Sequence, residues 1–140
     1  MSRVVNSNSP GKIRSRHRRT IAELLRRLVQ RQAVDQEAKD MAAAIRFALR
    51  GIHDSTMKTI VAWEKRDYWT KADRFLREWE WADTLGRELE EAMRADQWSE
   101  LPVLLARLMP YFVDIETKKM TRPPSQWNGA YRLLMSEEIE

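Results

Sequence analysis

Apolar side chains recur every three or four positions between residues 61 and 93, and this spacing restricts the fold more than any other feature of the chain. Side chains at such intervals lie on one side of an α-helix, so the stretch predicts a single helix of about 40 residues with an N-cap at Asp54 or Ser55. No segment shows the strict alternation of apolar and polar residues that is typical of a β-strand. The predicted core side of this long helix consists of Val61, Tyr68, Ala72, Phe75, Trp79, Ala82, Gly86, Leu89 and Met93.

Another helix is predicted before it. Thr20 and Glu23 have the spacing of a capping box, in which each side chain bonds to a free backbone amide at the start of a helix. Ser9 followed by Pro10 also fits an N-cap and a first-turn proline, so an earlier start is the alternative. Gly51 is a natural stop, and this first helix is therefore predicted to end near residue 50.

The apolar side of the first helix is interrupted near its middle. Arg31 and Asp35 occupy positions where the spacing requires apolar residues. The chain near residues 30 to 37 is therefore expected to kink, to loosen or to lie outside the core. The uninterrupted apolar positions are Leu24, Leu28, Ala38, Ala42, Ile45, Leu49 and Ile52.

The last third of the chain predicts two shorter helices. Ser99 is a suitable N-cap for a third helix from about Glu100 to Lys119, in which Pro110 should cause a bend. Two consecutive prolines then exclude helix at positions 123 and 124, and a final helix is predicted from Gln126 to about Glu138. The apolar positions of these two helices are Leu101, Leu104, Leu105, Leu108, Phe112, Ile115, Trp127, Tyr131, Leu134 and Met135.

Together these elements predict an all-α protein, an antiparallel helical bundle with a long helical hairpin and one or two further helices. The 140 residues are enough for one hydrophobic core. We divide the chain into a basic N-terminal arm, residues 1–19, and a single helical-bundle domain, residues 20–140.

The composition excludes several classes of protein. Charged residues make up 33% of the chain and apolar residues 43%, which is typical of a globular helical protein and not of a disordered one. No apolar run approaches the ~20 residues that cross a bilayer, and no secretory h-region follows the first basic residues. We therefore expect a cytoplasmic protein. Because there is no cysteine, disulfides and thiolate chemistry are excluded.

Catalytic and metal-binding motifs are missing as well. The two histidines, His17 and His53, belong to no metal-binding spacing, and there is no glycine-rich phosphate loop or nucleophile elbow. Glu88 and Glu91 share a helix face, but charges do so on almost every solvated helix. We expect no enzyme, no cofactor and no metal.

The positive charge is concentrated at the start of the chain. Residues 1–50 hold 12 Lys or Arg and 4 Asp or Glu, whereas residues 51–140 hold 13 and 17. Six of the early cations fall within an arc of about 140° on a helical wheel, opposite Ile21, Leu25 and Leu28. Such a face can follow a phosphate backbone, although a solvated helix face would have the same pattern. We call it the basic face; it consists of Lys12, Arg16, Arg19, Arg26, Arg27 and Arg31.

A second set combines tryptophan with arginine on the side of the long helix that is predicted to face away from the core. This combination is typical of interface hot spots, and aromatic rings beside arginine also suit stacking on unpaired bases. The alternative is that another helix of the bundle covers this side. The set, which we call the Trp/Arg face, consists of Trp63, Arg66, Arg74, Arg77 and Trp81.

A small, arginine-rich, cysteine-free and all-helical chain with no catalytic residues resembles the small helical subunit of multi-subunit CRISPR effector complexes. That resemblance rests on size, charge and class over the whole chain and implies contacts with a nucleic-acid backbone. Arg16, Arg19 and Arg27 would make them by analogy of charge. The acidic stretch from Asp73 to Glu100 departs from the pattern.

These features favour a non-enzymatic helical subunit that binds nucleic-acid backbone without sequence specificity, within a larger ribonucleoprotein or nucleoprotein assembly that includes other protein subunits or further copies of itself. The alternative is a helical adaptor or structural protein whose Arg and Trp faces bind acidic protein partners. A membrane-surface role ranks third, because the basic helix is also rich in leucine. The arginine-rich, acid-poor start is similar to a mitochondrial presequence as well.

Overall fold

The computed structural model describes residues 9–138, and over this range the chain is all-helical. Five helices of eight or more residues are followed by one shorter helix, with 3-10 turns at Trp98–Glu100, Met109–Phe112 and Pro124–Gln126. The predicted all-α bundle with a long helical hairpin is confirmed. The helices are α1 (Pro10–Val29), α2 (Gln36–Glu64), α3 (Trp69–Trp79), α4 (Trp81–Arg94), α5 (Leu101–Leu108) and α6 (Ala130–Ser136).

Helix α1 begins at the earlier of the two predicted starts. Ser9 is its N-cap and accepts a bond from the amide of Lys12, while Pro10 occupies the first turn, where no amide partner is needed. Thr20 lies in mid-helix, and its hydroxyl donates to the carbonyl of Arg16, so the capping box predicted there is wrong. Residues 10–19 continue directly into the buried part of α1; residues 1–8 of the predicted arm lie outside the described residues.

The interruption predicted near residues 30 to 37 is the turn of the helical hairpin. Asp35 caps α2 by accepting a bond of 2.9 Å from the amide of Ala38. Arg31 folds back over this turn and pairs with Asp35 and with Glu37. The two charged residues that break the apolar pattern thus form the connection between α1 and α2.

The helix stop predicted at Gly51 is wrong, because α2 runs through this residue without a break. A Cβ at position 51 would lie 2.3 Å from Nε2 of His17 on α1. Glycine therefore leaves room for the His17 ring at this point, and the sequence pattern alone does not distinguish such a glycine from a helix end. The predicted cap at Ser55 is also wrong, since its buried hydroxyl donates to the carbonyl of Ile52 at 2.8 Å.

The stretch from residue 54 to residue 93, which was predicted to be a single helix, consists of the end of α2 followed by α3 and α4. A turn separates α2 from α3, and α3 and α4 are divided at Glu80, where the backbone keeps helical angles. The apolar register does not persist across the first of these breaks, so Val61 and Tyr68 are exposed, at 45% and 50%, and their prediction as core residues is wrong. The remaining predicted positions are buried or half-buried: Ala72, Phe75, Trp79, Ala82, Gly86, Leu89 and Met93.

The two C-terminal helices are shorter than predicted. Helix α5 ends at Leu108, because Pro110 lacks the amide needed to continue it, and a 3-10 turn follows. Helix α6 begins after Gly129, which has a φ of 81°. Its free amides are bound by a distant residue: Asp40 on α2 accepts bonds from the amides of Gly129 at 3.1 Å and Tyr131 at 3.0 Å.

One hydrophobic core joins these helices, and α2 contacts α1, α3, α4 and α6. Among residues 9–138, no helix is both long enough and apolar enough to cross a bilayer. The largest fully buried apolar side chains are Ile21, Leu24, Met41, Ile45, Leu49, Ile52, Leu89, Met93, Leu108 and Leu134.

Candidate nucleic-acid interface

Four members of the basic face extend into solvent from α1. Lys12, Arg16, Arg26 and Arg27 are exposed, and none of them makes an ion pair with another residue between 9 and 138. They lie opposite Ile21, Leu25 and Leu28, which are buried against the rest of the bundle. The amphipathic packing of α1 therefore directs these four charges outward.

Two other arginines of the same helix serve the fold. Arg14 donates to the carbonyl of Ser55 at 3.2 Å and to the hydroxyl of Thr59 at 3.1 Å. Its guanidinium also lies 4.8 Å from the ring centroid of Phe75 and 5.4 Å from that of Trp79. Burial lowers the pKa of Arg14 from its ordinary value. This residue joins α1 to both α2 and α3.

Arg18 performs the same task toward the C-terminal part of the chain. It pairs with Asp114 at 2.6 Å and donates to the carbonyl of Tyr111 at 2.8 Å. The bond from Arg18 lowers the pKa of the Asp114 carboxyl. Arg14 and Arg18 are thus structural, in agreement with their position outside the predicted arc.

The remaining two members of the basic face have acidic neighbours. The Nε of Arg19 lies 3.4 Å from Glu23 and its side chain is 43% exposed. Arg31 lies in the hairpin turn and is held there by Asp35 and Glu37. The structure therefore brings five of the six predicted cations together on α1 and places Arg31 apart from them.

Glu23 is covered although it lies in the middle of the basic face. The segment after α5 crosses α1 at this point, and Thr121 donates to the Glu23 carboxylate through both its amide and its hydroxyl. Arg122 completes the contact with an ion pair. Burial alone would raise the pKa of Glu23, but the bonds from Thr121 and the charge of Arg122 outweigh it and lower the pKa. The only acid of α1 is therefore removed from the surface.

The crossing segment adds cations that the sequence analysis missed. Lys118 and Lys119 are exposed and lie with Arg19 around a shallow cleft of about 290 Å³. Glu116 is the acidic residue of this cleft. The signal was present as consecutive lysines in "ETKKMTR", but the pattern assigned them to the end of a predicted helix, far from α1 in the chain.

The tryptophans of the Trp/Arg face are half-buried and belong to a row of aromatic rings along the side of the bundle. Trp63 meets Phe75 edge to face at a centroid distance of 5.0 Å. Trp81 is stacked on Tyr111 at 4.2 Å and lies 6.1 Å from Trp79. Much of the surface of both tryptophans is therefore buried in intramolecular contacts. The arginines of the same set, Arg66, Arg74 and Arg77, are exposed.

Two exposed aromatic residues that the sequence analysis did not select lie at the turn between α2 and α3. Tyr68 is 50% exposed and Trp69 is 59% exposed. The apolar spacing predicts Tyr68 in the core and makes no prediction for Trp69. Only the break between the helices, which the apolar spacing does not show, turns both side chains toward solvent.

The carboxylates and histidines form no metal-binding group within the described part of the chain. Glu88 pairs with Arg107, and His17 lies against Gly51. Burial lowers the pKa of His17 and the charge of Arg16 adds to this effect, while Asp54 opposes it. Among residues 9–138, no three His, Asp or Glu side chains are placed to hold a metal ion.

Comparison with family models, with curated proteins and with solved structures finds no match to this chain.

Proposed function

We propose that this protein is a non-enzymatic helical subunit that binds nucleic-acid backbone and acts within a larger nucleoprotein assembly. The binding surface consists of the four exposed cations of α1, namely Lys12, Arg16, Arg26 and Arg27, with Lys118 and Lys119 beside them. We call these six residues the cationic surface. The observation that carries the proposal is that α1 presents four unpaired cations while its single acid, Glu23, is buried.

The four cations of α1 cover a length of several phosphates. At a rise of ~1.5 Å per residue, Lys12 and Arg27 lie about 22 Å apart along α1. One strand of B-form DNA has a phosphate every ~3.4 Å along its axis, so this length faces roughly six phosphates. Exposed lysine and arginine side chains are long enough to reach them, and they recognise charge without reading base edges.

The alternative of a merely solvated helix face is less consistent with the charge of α1, because solvated faces generally mix both signs. Elsewhere some arginines are paired, since Arg46, Arg50 and Arg94 all reach Glu90, whereas Arg66, Arg74 and Arg132 are exposed without an ion pair among residues 9–138. Helix α1, which contributes four of the six residues of the cationic surface, has no exposed acid between Pro10 and Val29. A net positive field of this kind attracts polyanions and raises their association rate.

Salt dependence provides the test. Backbone binding releases condensed counterions, so the logarithm of the affinity should fall linearly with the logarithm of the salt concentration, with a slope of about −3 to −5 for four to six contacts. Binding is measured by fluorescence anisotropy with a single-stranded oligonucleotide and with a duplex of the same length. We expect little dependence on base sequence.

Matched double variants locate the contacts. Arg16→Gln with Arg27→Gln, and separately Lys118→Gln with Lys119→Gln, should each reduce the magnitude of the slope by about 1.5. The control, Arg87→Gln with Arg132→Gln, removes the same formal charge from exposed positions on α4 and α6 and should leave the slope nearly unchanged. If the α1 double variant keeps the parent's affinity and slope, nucleic-acid binding by this surface is excluded and an acidic protein partner becomes the better hypothesis.

A further inference from the structure

We propose that the turn between α2 and α3 is a stacking site for unpaired bases, formed by Tyr68 and Trp69, and that it makes the protein prefer single-stranded nucleic acid. The proposal rests on the backbone binding proposed above, since stacking alone would hold a strand weakly. It extends that function by assigning a ligand class and a second set of residues.

The exposure of these two rings is the first observation. Trp69 is 59% exposed, whereas the other five tryptophans of the chain are buried or half-buried. Tyr68, directly before it, is 50% exposed. Two adjacent aromatic side chains in water are unfavourable for an isolated protein, and every nucleic-acid base offers a flat face that can cover them.

The backbone of the turn is ordered by hydrogen bonds, so the two rings project from fixed backbone positions. The amides of Arg66 and Tyr68 both donate to the carbonyl of Trp63, at 3.0 Å and 2.9 Å. Asp67 adopts a positive φ of 61°, a conformation that aspartate tolerates better than most residues. The carbonyl of Tyr68 then accepts the amide of Ala72 and starts α3. A turn whose backbone is already ordered loses little backbone entropy when a base binds to it.

Cations outnumber acids around the rings. Four neighbouring cations are exposed and make no ion pair within the described residues, while of the three nearby acids Asp73 is paired with Arg77 and Glu64 and Asp67 make no ion pair there. The cations are Lys65, Arg66, Lys71 and Arg74. Protein interfaces generally have an apolar centre from which lysine is depleted, and here the only apolar residue between 64 and 74 besides the two rings is Ala72. Aromatic planes among cations suit a ligand with flat rings and phosphates better than a protein surface.

The turn lies at the end of the molecule where α1 begins. Arg14 of α1 bonds to Thr59, near the C-terminal end of α2, and its guanidinium lies over Phe75 of α3. Because α1 and α2 form a hairpin, the part of α1 that contains Lys12 is closer still to the end of α2. A strand that follows the cationic surface toward Lys12 therefore arrives at the end of the bundle that presents Tyr68 and Trp69.

The experiment compares oligothymidylate with a duplex of the same length. Tyr68→Ala with Trp69→Ala should weaken binding of oligothymidylate by about tenfold or more, since base stacking on an aromatic ring contributes roughly 1–3 kcal/mol per base. Duplex binding should stay within about twofold, and the salt slope should not change, because no phosphate contact is removed. The double variant Tyr68→Phe with Trp69→Phe keeps both ring planes and should bind oligothymidylate nearly as the parent does.

The outcomes separate the two proposals. Suppose that the alanine double variant binds oligothymidylate as tightly as the parent, while the salt slope of the Arg16 and Arg27 double variant falls in magnitude. Stacking is then excluded and backbone binding stands. Loss of oligothymidylate and duplex binding to the same extent also overturns the stacking site. A parent protein that binds neither ligand at low salt overturns both proposals. Because both residues are exposed, unchanged helicity and melting temperature should accompany each variant.

Discussion

The arginines around Glu90 and the arginines on the outer side of α1 are the same kind of residue in two different settings. Arg46, which is 7% exposed, Arg50 and Arg94 approach one carboxylate, that of Glu90, at 2.7, 3.3 and 2.9 Å. On α1, Arg16 has no acidic partner within the described residues. The difference shows that the guanidinium groups around Glu90 are satisfied within the fold, whereas Arg16 on the outer side of α1 is left in solvent.

The Glu90 cluster depends on space as well as on charge. A Cβ on Gly86 would lie 2.6 Å from Nη1 of Arg46, so the glycine allows the guanidinium to lie across α4. Arg50 continues the network to Glu137, and Arg94 donates to the carbonyl of Leu134 in α6. These bonds hold the C-terminal helix against α2 and α4. Removal of Glu90 should therefore affect the whole bundle, whereas removal of an α1 cation should not.

The largest effect is expected for Glu90→Ala. Three guanidinium groups lose their common partner, and an uncompensated buried charge at Arg46 should cost about 3–5 kcal/mol of unfolding free energy. Urea unfolding followed by circular dichroism measures it. The control is Glu91→Ala, which is next in the chain but exposed, and it should change stability by less than about 0.5 kcal/mol. A loss below about 1 kcal/mol for Glu90→Ala would show that the network contributes little.

The ionisation of Glu90 should also be visible in the pH dependence of the unfolding free energy. Burial of Glu90 opposes ionisation, but the bonds from Arg46 and Arg94 outweigh it and lower its pKa from 4.5 to about 2. Because the folded pKa lies below the unfolded one, the stabilisation is complete above about pH 4.5 and is lost as pH falls through about 2. In Glu90→Gln, the part of the acid-induced loss of unfolding free energy that comes from Glu90 should disappear. If the variant and the parent lose stability identically as the pH falls, the loss comes from other carboxylates.

A smaller effect is expected where α1 crosses α2. Gly51→Ala places a methyl group against the half-buried ring of His17, which must move to make room, and should destabilise the protein by about 1–3 kcal/mol. His17→Ala removes the obstacle, so the double variant should recover most of the loss, which a double-mutant cycle measures as coupling. Additive losses would mean that the clash is relieved elsewhere.

Gly51 also illustrates which parts of the fold the sequence could predict. The apolar positions of α1 and α2 and the interruption near residue 31 follow from helical periodicity, which is local. A glycine in mid-helix is explained only by a partner from another helix, here His17, and no local signal distinguishes it from a helix stop. The turn at Asp67 was missed for a related reason, since it contains neither glycine nor proline and uses an aspartate with positive φ.

The candidate site, too, could be predicted only as far as local helical periodicity allows. The outward direction of Lys12, Arg16, Arg26 and Arg27 follows from the amphipathic pattern of α1 alone. The burial of Glu23 by Thr121 and the arrival of Lys118 beside Arg19 do not, because both depend on a segment that is about 100 positions away in the chain. Spatial neighbours at such separation are set by tertiary packing.

The smallest effect distinguishes the two ends of α1 itself. Lys12 and Arg16 are like charges four positions apart near the N-terminal end of the helix, where the helix dipole also disfavours cations. Lys12→Gln with Arg16→Gln should therefore stabilise the protein by about 0.3–0.5 kcal/mol at low salt.

Arg26 and Arg27 lie in the last turn, where the dipole favours cations, so their replacement by Gln should destabilise the protein by a similar amount. Both changes should vanish at high salt, because the screening length falls to ~3 Å at about 1 M. Urea unfolding of the two double variants at low and high salt measures the difference. Destabilisation by the Lys12 and Arg16 pair would show that these cations support the fold, as Arg14 does. Stabilisation would mean that the N-terminal cations are kept at a cost to the fold, as expected of residues retained for binding a polyanion.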